Sequence, residues 1–233
     1  MTSPVGAPDA AYAALSEQKG LLTRASRSSQ TADIVRASIL DGTLRPGTRL
    51  SEPDICAALG VSRNTLREAF RSLIEERLVN HELNRGAFVR IPTPEDVAEL
   101  YQVRRIIEGA AIHNYDPASQ TPAELAAALA RADACAAVQD WTGVGTADID
   151  FHKAIAALNR SGRLDQLMAS VWNELRLVFL VMADPFHEPY LARNHEIHQT
   201  LARGDLAEAE RMLAEYLTDA ETQIRTAYER IVS

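Results

Sequence analysis

Residues 61–79, VSRNTLREAFRSLIEERLV, decide how the N-terminal third of this chain folds. Leu66, Ala69, Phe70, Leu73 and Ile74 recur at i, i+3, i+4, i+7 and i+8, which is one apolar stripe along a helix. Ser62 stands where an N-cap belongs, because a hydroxyl there accepts a free N–H of the first turn. The other face carries Arg63, Arg67 and Arg71, one turn apart each time, in a chain of formal net charge −8 at pH 7. Arginines at that spacing are often only a solvated face, with Glu68, Glu75 and Glu76 within reach as partners. The surrounding sequence gives them a context.

Upstream, Ser51 is a good N-cap for a shorter helix that tolerates Pro53 in its first turn and ends near Leu59 at Gly60. Two helices around a tight Gly-containing turn predict a helix-turn-helix, packed through Ile55, Leu59, Leu66 and Ala69. That packing leaves Ser62, Arg63, Asn64 and Arg67 free at the N-terminal end of the second helix. These groups suit phosphate oxygens and base edges, Arg to guanine and Asn to adenine. A preceding helix is predicted from about Thr31 to Asp41, stopped by Gly42 and followed by the Pro46-Gly47 turn. After Arg77 the texture changes to LVNHELNRGAFVRI, two short strands around a turn at Asn84-Arg85-Gly86. A hairpin in that position is the expected wing, with Arg85 and Gly86 at its tip.

Residues 1–27 are rich in Ala, Ser, Pro and Gly and read as a mobile arm with one short helix over Ala10–Ser16. The DNA-binding domain is expected over 28–91 and a linker at 92–98, marked by Pro92 and Pro94. From 99 to 233 the patterns are helical only, at roughly 95–113, 121–138, 144–158, 163–183, 187–203 and 206–230. Thr121-Pro122-Ala123-Glu124 and Asp205 with Glu208 look like capping boxes. The fold class is therefore mainly α. A winged helix-turn-helix of three helices and a small β-hairpin precedes an all-α bundle of about six helices.

Charge is divided unevenly: residues 28–91 carry a net +1 and residues 92–233 a net −10. Phosphate would repel the acidic part, so a nucleic acid must face the N-terminal third. A sequence-independent DNA-packaging protein would be basic overall, whereas the sequence pI here is about 5.3. The absence of an apolar run of membrane-spanning length predicts no membrane partner and a cytoplasmic location. Cys56 and Cys135 sit inside helical patterns without CxxC spacing and read as buried inert thiols.

Two i, i+4 pairs mark the C-terminal part. Asp148 and His152 project from one helix face, a spacing that suits two ligands on one metal ion, and Arg104 and Glu108 repeat it on an earlier helix. The His-Glu-Ile-His run at 195–198 is not a zincin motif, because its histidines are three apart rather than four. His81, His113 and His187 are isolated. No nucleophile lies beside a base and no Gly-rich phosphate loop is present, so an enzyme is not expected. The competing readings are a metal-dependent enzyme built on Asp148 and His152, and a non-specific DNA-binding or interaction protein.

The run ILDGTLRPGTRLSEPDICAALGVSRNTLREAFRSLIEERLV, with NRGAFV, resembles the winged helix-turn-helix of the GntR superfamily of bacterial transcription regulators. LYQVRRIIEGAAI and DIDFHKAI are similar to the all-helical effector domain of its FadR branch, the FCD domain. The resemblance covers about residues 28–220. It implies a homodimeric regulator, more often a repressor, that binds a short inverted repeat in double-stranded DNA and responds to a small metabolite, often a carboxylate. The DNA contacts it implies are Ser62, Arg63, Asn64 and Arg67 with Arg85 and Gly86 in the wing, and Arg49 and Arg71 are further candidates. Pro53 departs from members that carry a DNA-contacting arginine there.

For the effector domain the resemblance implies Arg104, Asp148, His152, Asn194 and Tyr216 as effector-binding positions, with Arg104 facing a carboxylate. In many members the Asp and His join two later histidines around a divalent metal. The matching positions here, placed by NHEIHQTLARGDLAEAERMLAEYL, are Asn194 and Tyr216. An amide oxygen is a weak ligand, and a phenol of pKa about 10 holds its proton near neutrality. Two readings stay open: a degenerate zinc, nickel or manganese site on Asp148 and His152, or a polar pocket in which Asn194 and Tyr216 satisfy that pair. Rescue of the metal by His195 and His198 requires a rotated helix. For Arg104 the alternatives are a ligand carboxylate and an internal salt bridge to Glu108 or Asp148.

Overall fold

The computed structural model describes residues 19–117, 123–182 and 188–232. The short helix expected over Ala10–Ser16, the Thr121-Pro122 half of a capping box and His187 lie outside the described residues. The chain divides into two compact units, Met1–Leu44 with Thr48–Val89 and Arg45–Gly47 with Arg90–Ser233.

The first unit contains α1 (Lys19–Leu40), β1 (Arg49–Leu50), α2 (Glu52–Leu59), α3 (Arg63–Glu75), β2 (Val79–Glu82) and β3 (Gly86–Val89). Helix α1 begins twelve residues before the position expected from periodicity, so residues 19–27 are helical rather than an irregular arm. Its inward stripe extends one position N-terminal of the expected start: Ser28 is buried alongside Thr31, Ala32, Val35 and Ile39, and a hydroxyl there hides the apolar pattern. Thr31 donates its hydroxyl to the Arg27 carbonyl at 2.8 Å, which satisfies it in place.

Helix α1 packs on α3, and α2 packs on α3 across the turn. Gly60 ends α2 in the left-handed region at φ 62° and returns its N–H to the Cys56 carbonyl. Ser51 flanks α2 but makes no side-chain capping bond. Ser62 accepts from the Thr65 N–H at 3.1 Å and starts α3. Leu66, Ala69, Phe70 and Leu73 are buried as the stripe predicts, whereas Ile74 is 39% exposed at the edge of that stripe. The sheet has order β1-β3-β2, antiparallel throughout, with Arg49 opposite Phe88 and His81 opposite Ala87. The hairpin is as expected; the third strand, β1, is two residues long and leaves no periodic trace.

In the second unit the described helices are α4 (Pro94–His113), α5 (Ala123–Ala137), α6 (Trp141–Ala157), α7 (Gly162–Val181), α8 (Glu188–Ala202) and α9 (Leu206–Val232). Pro94 takes the first helical position of α4, where a missing N–H costs nothing, behind a capping box formed by Thr93 and Asp96. Helix α4 packs on α6, α7 and α9, and α5 bridges α6 and α8. Their apolar faces close one core that includes Leu100, Ile112, Leu125, Ile155, Leu175, Leu213 and Ile224. Cys56 and Cys135 are half-buried rather than enclosed. Among the described residues no helix is long and apolar enough to cross a membrane.

Candidate functional site

Helix α3 presents Ser62, Arg63, Asn64, Arg67 and Arg71 to solvent, all of them exposed. The helix start brings its own unpaired N–H groups and positive potential to the same end. The acidic neighbours do not neutralise the stripe as a set. Glu76 accepts from Arg36 Nε at 2.5 Å and Nη2 at 2.7 Å, and from Ser72 at 3.1 Å. Arg67 takes a partner that its own helix does not supply. Its Nε donates to both carboxylate oxygens of Glu52, at 3.1 and 3.2 Å, across the helix-turn-helix. Arg63 and Arg71 make no ion pair with described residues.

At the wing tip Asn84 and Gly86 both have positive φ, 62° and 100°, so the turn needs an Asn and a Gly there. Arg85 pairs with Glu82 and its guanidinium lies 5.2 Å from the Phe88 ring centre. Arg49, exposed on β1, stands opposite Phe88. The first unit therefore gathers Arg49 and Arg85 around one aromatic on its sheet.

The second unit brings together every effector-domain residue singled out from sequence. Arg104, Glu108, His152, Asp148, Asn194 and Tyr216 are all buried. Helix α4 places Arg104 and Glu108 one turn apart, α6 does the same for Asp148 and His152, and α8 and α9 supply Asn194 and Tyr216. Arg104 Nε donates to Glu108 Oε1 at 2.8 Å, and Glu108 Oε2 meets His152 Nδ1 at 2.6 Å. Asp148 Oδ1 accepts from Asn194 Nδ2 at 2.7 Å and from the Tyr216 hydroxyl at 2.8 Å. His152 Nε2 lies 3.9 Å from that oxygen, beyond hydrogen-bond reach.

Electrostatics follows from the contacts. Burial alone would push the Glu108 carboxyl up, but Arg104 and His152 outweigh it and hold the group below its usual range. Burial, with Asp148 beside it, pushes the Tyr216 phenol well above its ordinary value. Burial also moves Tyr190 up to about 12. Arg104 lies 4.7 Å from the Tyr101 ring centre and 5.8 Å from that of Trp172. Tyr101 sits at i−3 from Arg104 and was accessible to helix-spacing logic; Trp172 and Glu52 come from elsewhere in the chain and were not.

Between the two readings of Asp148 and His152, the hydrogen bonds match the polar pocket. A cation on Asp148 would compete with two donors already on the same oxygen, one of them a phenol that keeps its proton. The residues present do not fit the one-Asp, three-His set. Among the described residues no cluster of three His, Cys, Asp or Glu is arranged to hold a metal. His195 pairs with Asp133 at 2.9 Å, away from Asp148. The salt-bridge alternative for Arg104 is present, with Glu108 as the partner.

A winged helix with a basic face, linked in one chain to an all-helical unit, defines a class: transcription regulators that read DNA with one part and carry a second part for control. Residues 27–89 match the bacterial regulatory proteins of the gntR family, and residues 99–219 match the FCD domain. The chain belongs to the gntR family, in its FCD-bearing FadR-type branch. It is 27% identical over 190 residues to the gluconate operon transcriptional repressor of Bacillus licheniformis, 76% of each chain. Identity is 29% over 181 residues to the galactonate operon transcriptional repressor of Escherichia coli, covering 68% of this chain and 79% of that one. A solved structure of a GntR transcriptional regulator from Rhodococcus sp. RHA1 is 61% identical, with a TM-score of 0.85 over 87% of this chain and 99% of that one. These relatives are regulators of transcription, not enzymes.

Proposed function

We propose that the protein is a ligand-responsive repressor that binds a short inverted repeat as a homodimer and is retuned by a small carboxylate held at Arg104. DNA readout falls to Ser62, Arg63, Asn64 and Arg67 in the major groove. Arg71 and Arg49 would neutralise phosphate, and Arg85 with Gly86 would serve the wing. A two-fold dimer matches a pseudo-palindrome because each half-site meets the same surface.

The observation that carries the effector reading is at Arg104. Its side chain is fully buried, and Nη1 and Nη2 have no hydrogen-bond partner. A guanidinium fork in that state is completed by a carboxylate accepting both bonds. The names of two relatives, repressors of a gluconate and a galactonate operon, support both the acid and the sign of regulation.

Helix α7 offers the route between ligand and DNA. It carries Trp172 beside Arg104 and, two residues on, Glu174, which accepts from Arg90 Nη1 at 2.5 Å. Arg90 Nη2 also reaches Asp96 at 2.6 Å. Arg90 is the residue directly after β3, so a shift of α7 on ligand entry is transmitted to the connection between the units. A coupling of about 1–3 kcal/mol suffices for regulation.

Selection from a pool of random DNA duplexes tests the function. The expected product is an enriched inverted repeat with half-sites about one helical turn apart. A pool that stays unenriched, although the protein binds it, would refute sequence-specific readout.

A further inference from the structure

Four atoms of the buried cluster are enclosed without a hydrogen-bond partner: Arg104 Nη1 and Nη2, His152 Nε2 and Asn194 Oδ1. Their chemistry is complementary to one kind of molecule. The Arg104 nitrogens are charged donors in a planar fork and call for a carboxylate. Asn194 Oδ1 can only accept, because its amide nitrogen is committed to Asp148 at 2.7 Å. His152 is tied through Nδ1 to Glu108 at 2.6 Å, and its Nε2 is enclosed in the same cluster. A plain carboxylate would satisfy the arginine and leave Asn194 Oδ1 bare. An acid with a hydrogen-bond donor beside the carboxylate satisfies the Arg104 fork and Asn194 Oδ1 together, next to His152 Nε2.

We propose that this cluster is a metal-free receptor for a small carboxylate bearing a neighbouring hydroxyl or ammonium donor, in which Asn194 and Tyr216 tie down Asp148 by hydrogen bonds in place of a cation. The inference rests on the effector reading above and specifies how that site recognises its ligand. Family members with the full ligand set bring a cation to this position. Here Asp148 Oδ1 is occupied by the Asn194 amide and the Tyr216 hydroxyl, and the His152 ring lies tilted against Tyr216 at 4.8 Å between ring centres. The positive charge that would meet an acid is supplied by Arg104, which Glu108 holds through Nε alone.

The cluster is closed. The cavity beside Asp148 and Asn194, walled by Ala128, Leu129, Val144 and Phe151 and not reaching Arg104 or His152, measures about 10 Å³, room for roughly one water molecule. Arg104 and His152 have no exposed surface and Asn194 almost none, so a ligand that reaches them must displace the side chains that bury them. Occupancy is thereby tied to a change of shape, which a regulator needs if its two states are to differ in affinity.

The test uses the full chain, treated with chelator, and follows its thermal midpoint and its affinity for a selected duplex. Zinc, nickel and manganese alone are expected to leave the wild-type midpoint unchanged. The N194H/Y216H double variant should gain a rise with at least one of these ions, and Tyr216→His alone serves if the double variant does not fold. With chelator present, acids from glycolate and lactate to gluconate, and the amino acids glycine and alanine, are compared with acetate and propionate. One donor-bearing group should raise the midpoint by about 5 °C at a hundredfold excess over Kd. Arg104→Gln should abolish that rise. The hydroxy acids and the amino acids, run separately, show which donor is used.

A rise with metal in the wild type, or an acid effect that needs metal, overturns the metal-free inference and leaves the effector reading standing. Equal rises with acetate or propionate overturn the requirement for a donor. No rise with any acid, with or without metal, overturns the receptor itself. If an acid stabilises the protein and duplex affinity does not change, the receptor stands and the regulatory reading falls.

Discussion

Arg67 keeps 61% of its side chain in solvent and still has a partner, because Glu52 accepts from Nε. An exposed ion pair adds little to stability, because water screens the attraction and two side chains must be ordered to make it. Its effect is on orientation. Arg67→Ala is expected to weaken binding to the selected duplex about tenfold to a hundredfold, the range for losing one bidentate base contact. Its unfolding midpoint should stay near that of the wild type, since the residue faces water. Glu52→Gln should raise affinity for random duplex, by removing a negative charge near phosphate, and lower the ratio of specific to random binding. Fluorescence anisotropy with the two duplexes reads both. Arg67 was legible in the sequence from the apolar stripe opposite it, but Glu52 was not, because the contact spans fifteen residues and two helices. The same holds in the second unit: the i, i+4 pairs were visible, while Trp172 beside Arg104 depends on how α7 packs.

At the level of elements, α4 shows how much depends on one start signal. Thr93 accepts from the Asp96 N–H at 3.2 Å, and Asp96 accepts from the Thr93 N–H at 2.7 Å and from Arg90. Burial would push the Asp96 carboxyl up, but the Thr93 N–H and Arg90 outweigh it, so the group sits below its usual value of 3.8. Glu108 on the same helix is likewise held below 4.5. Folded values below unfolded ones mean stability that is present above the unfolded range and is lost as pH falls through the folded values. Urea midpoints are therefore expected to be insensitive to these two groups between pH 5 and 7, to within a few tenths of a unit of molarity, and to drop below about pH 4. Asp96→Ala should remove that part of the acid sensitivity and cost about 1–2 kcal/mol at pH 7 through the lost cap. A variant with an unchanged midpoint at pH 7 would show that the box does not hold the helix start. The helices of the second unit were readable because long periodic segments with Pro, Gly and capping residues punctuate them. The early start of helix α1 escaped notice because a serine, Ser28, takes a core position before Thr31, and β1 because two residues carry no period.

Taken as a whole, the molecule separates its charge. The net −10 of residues 92–233 lies in the unit with the buried polar cluster, and the basic helix face lies in the unit of residues 28–91, whose net charge is only +1. Screening confines exposed charges to about 8 Å at physiological salt, so the face of α3 and the wing act as a local positive surface despite the total of −8. Affinity for DNA should then come from a limited number of phosphate contacts, and each contact releases counterions. The most direct measurement is the affinity of the full chain for its selected duplex as salt is varied. A dimer that neutralises about six to eight phosphates predicts a log–log slope of roughly −5 to −7. A slope near zero would contradict DNA binding through the arginine face.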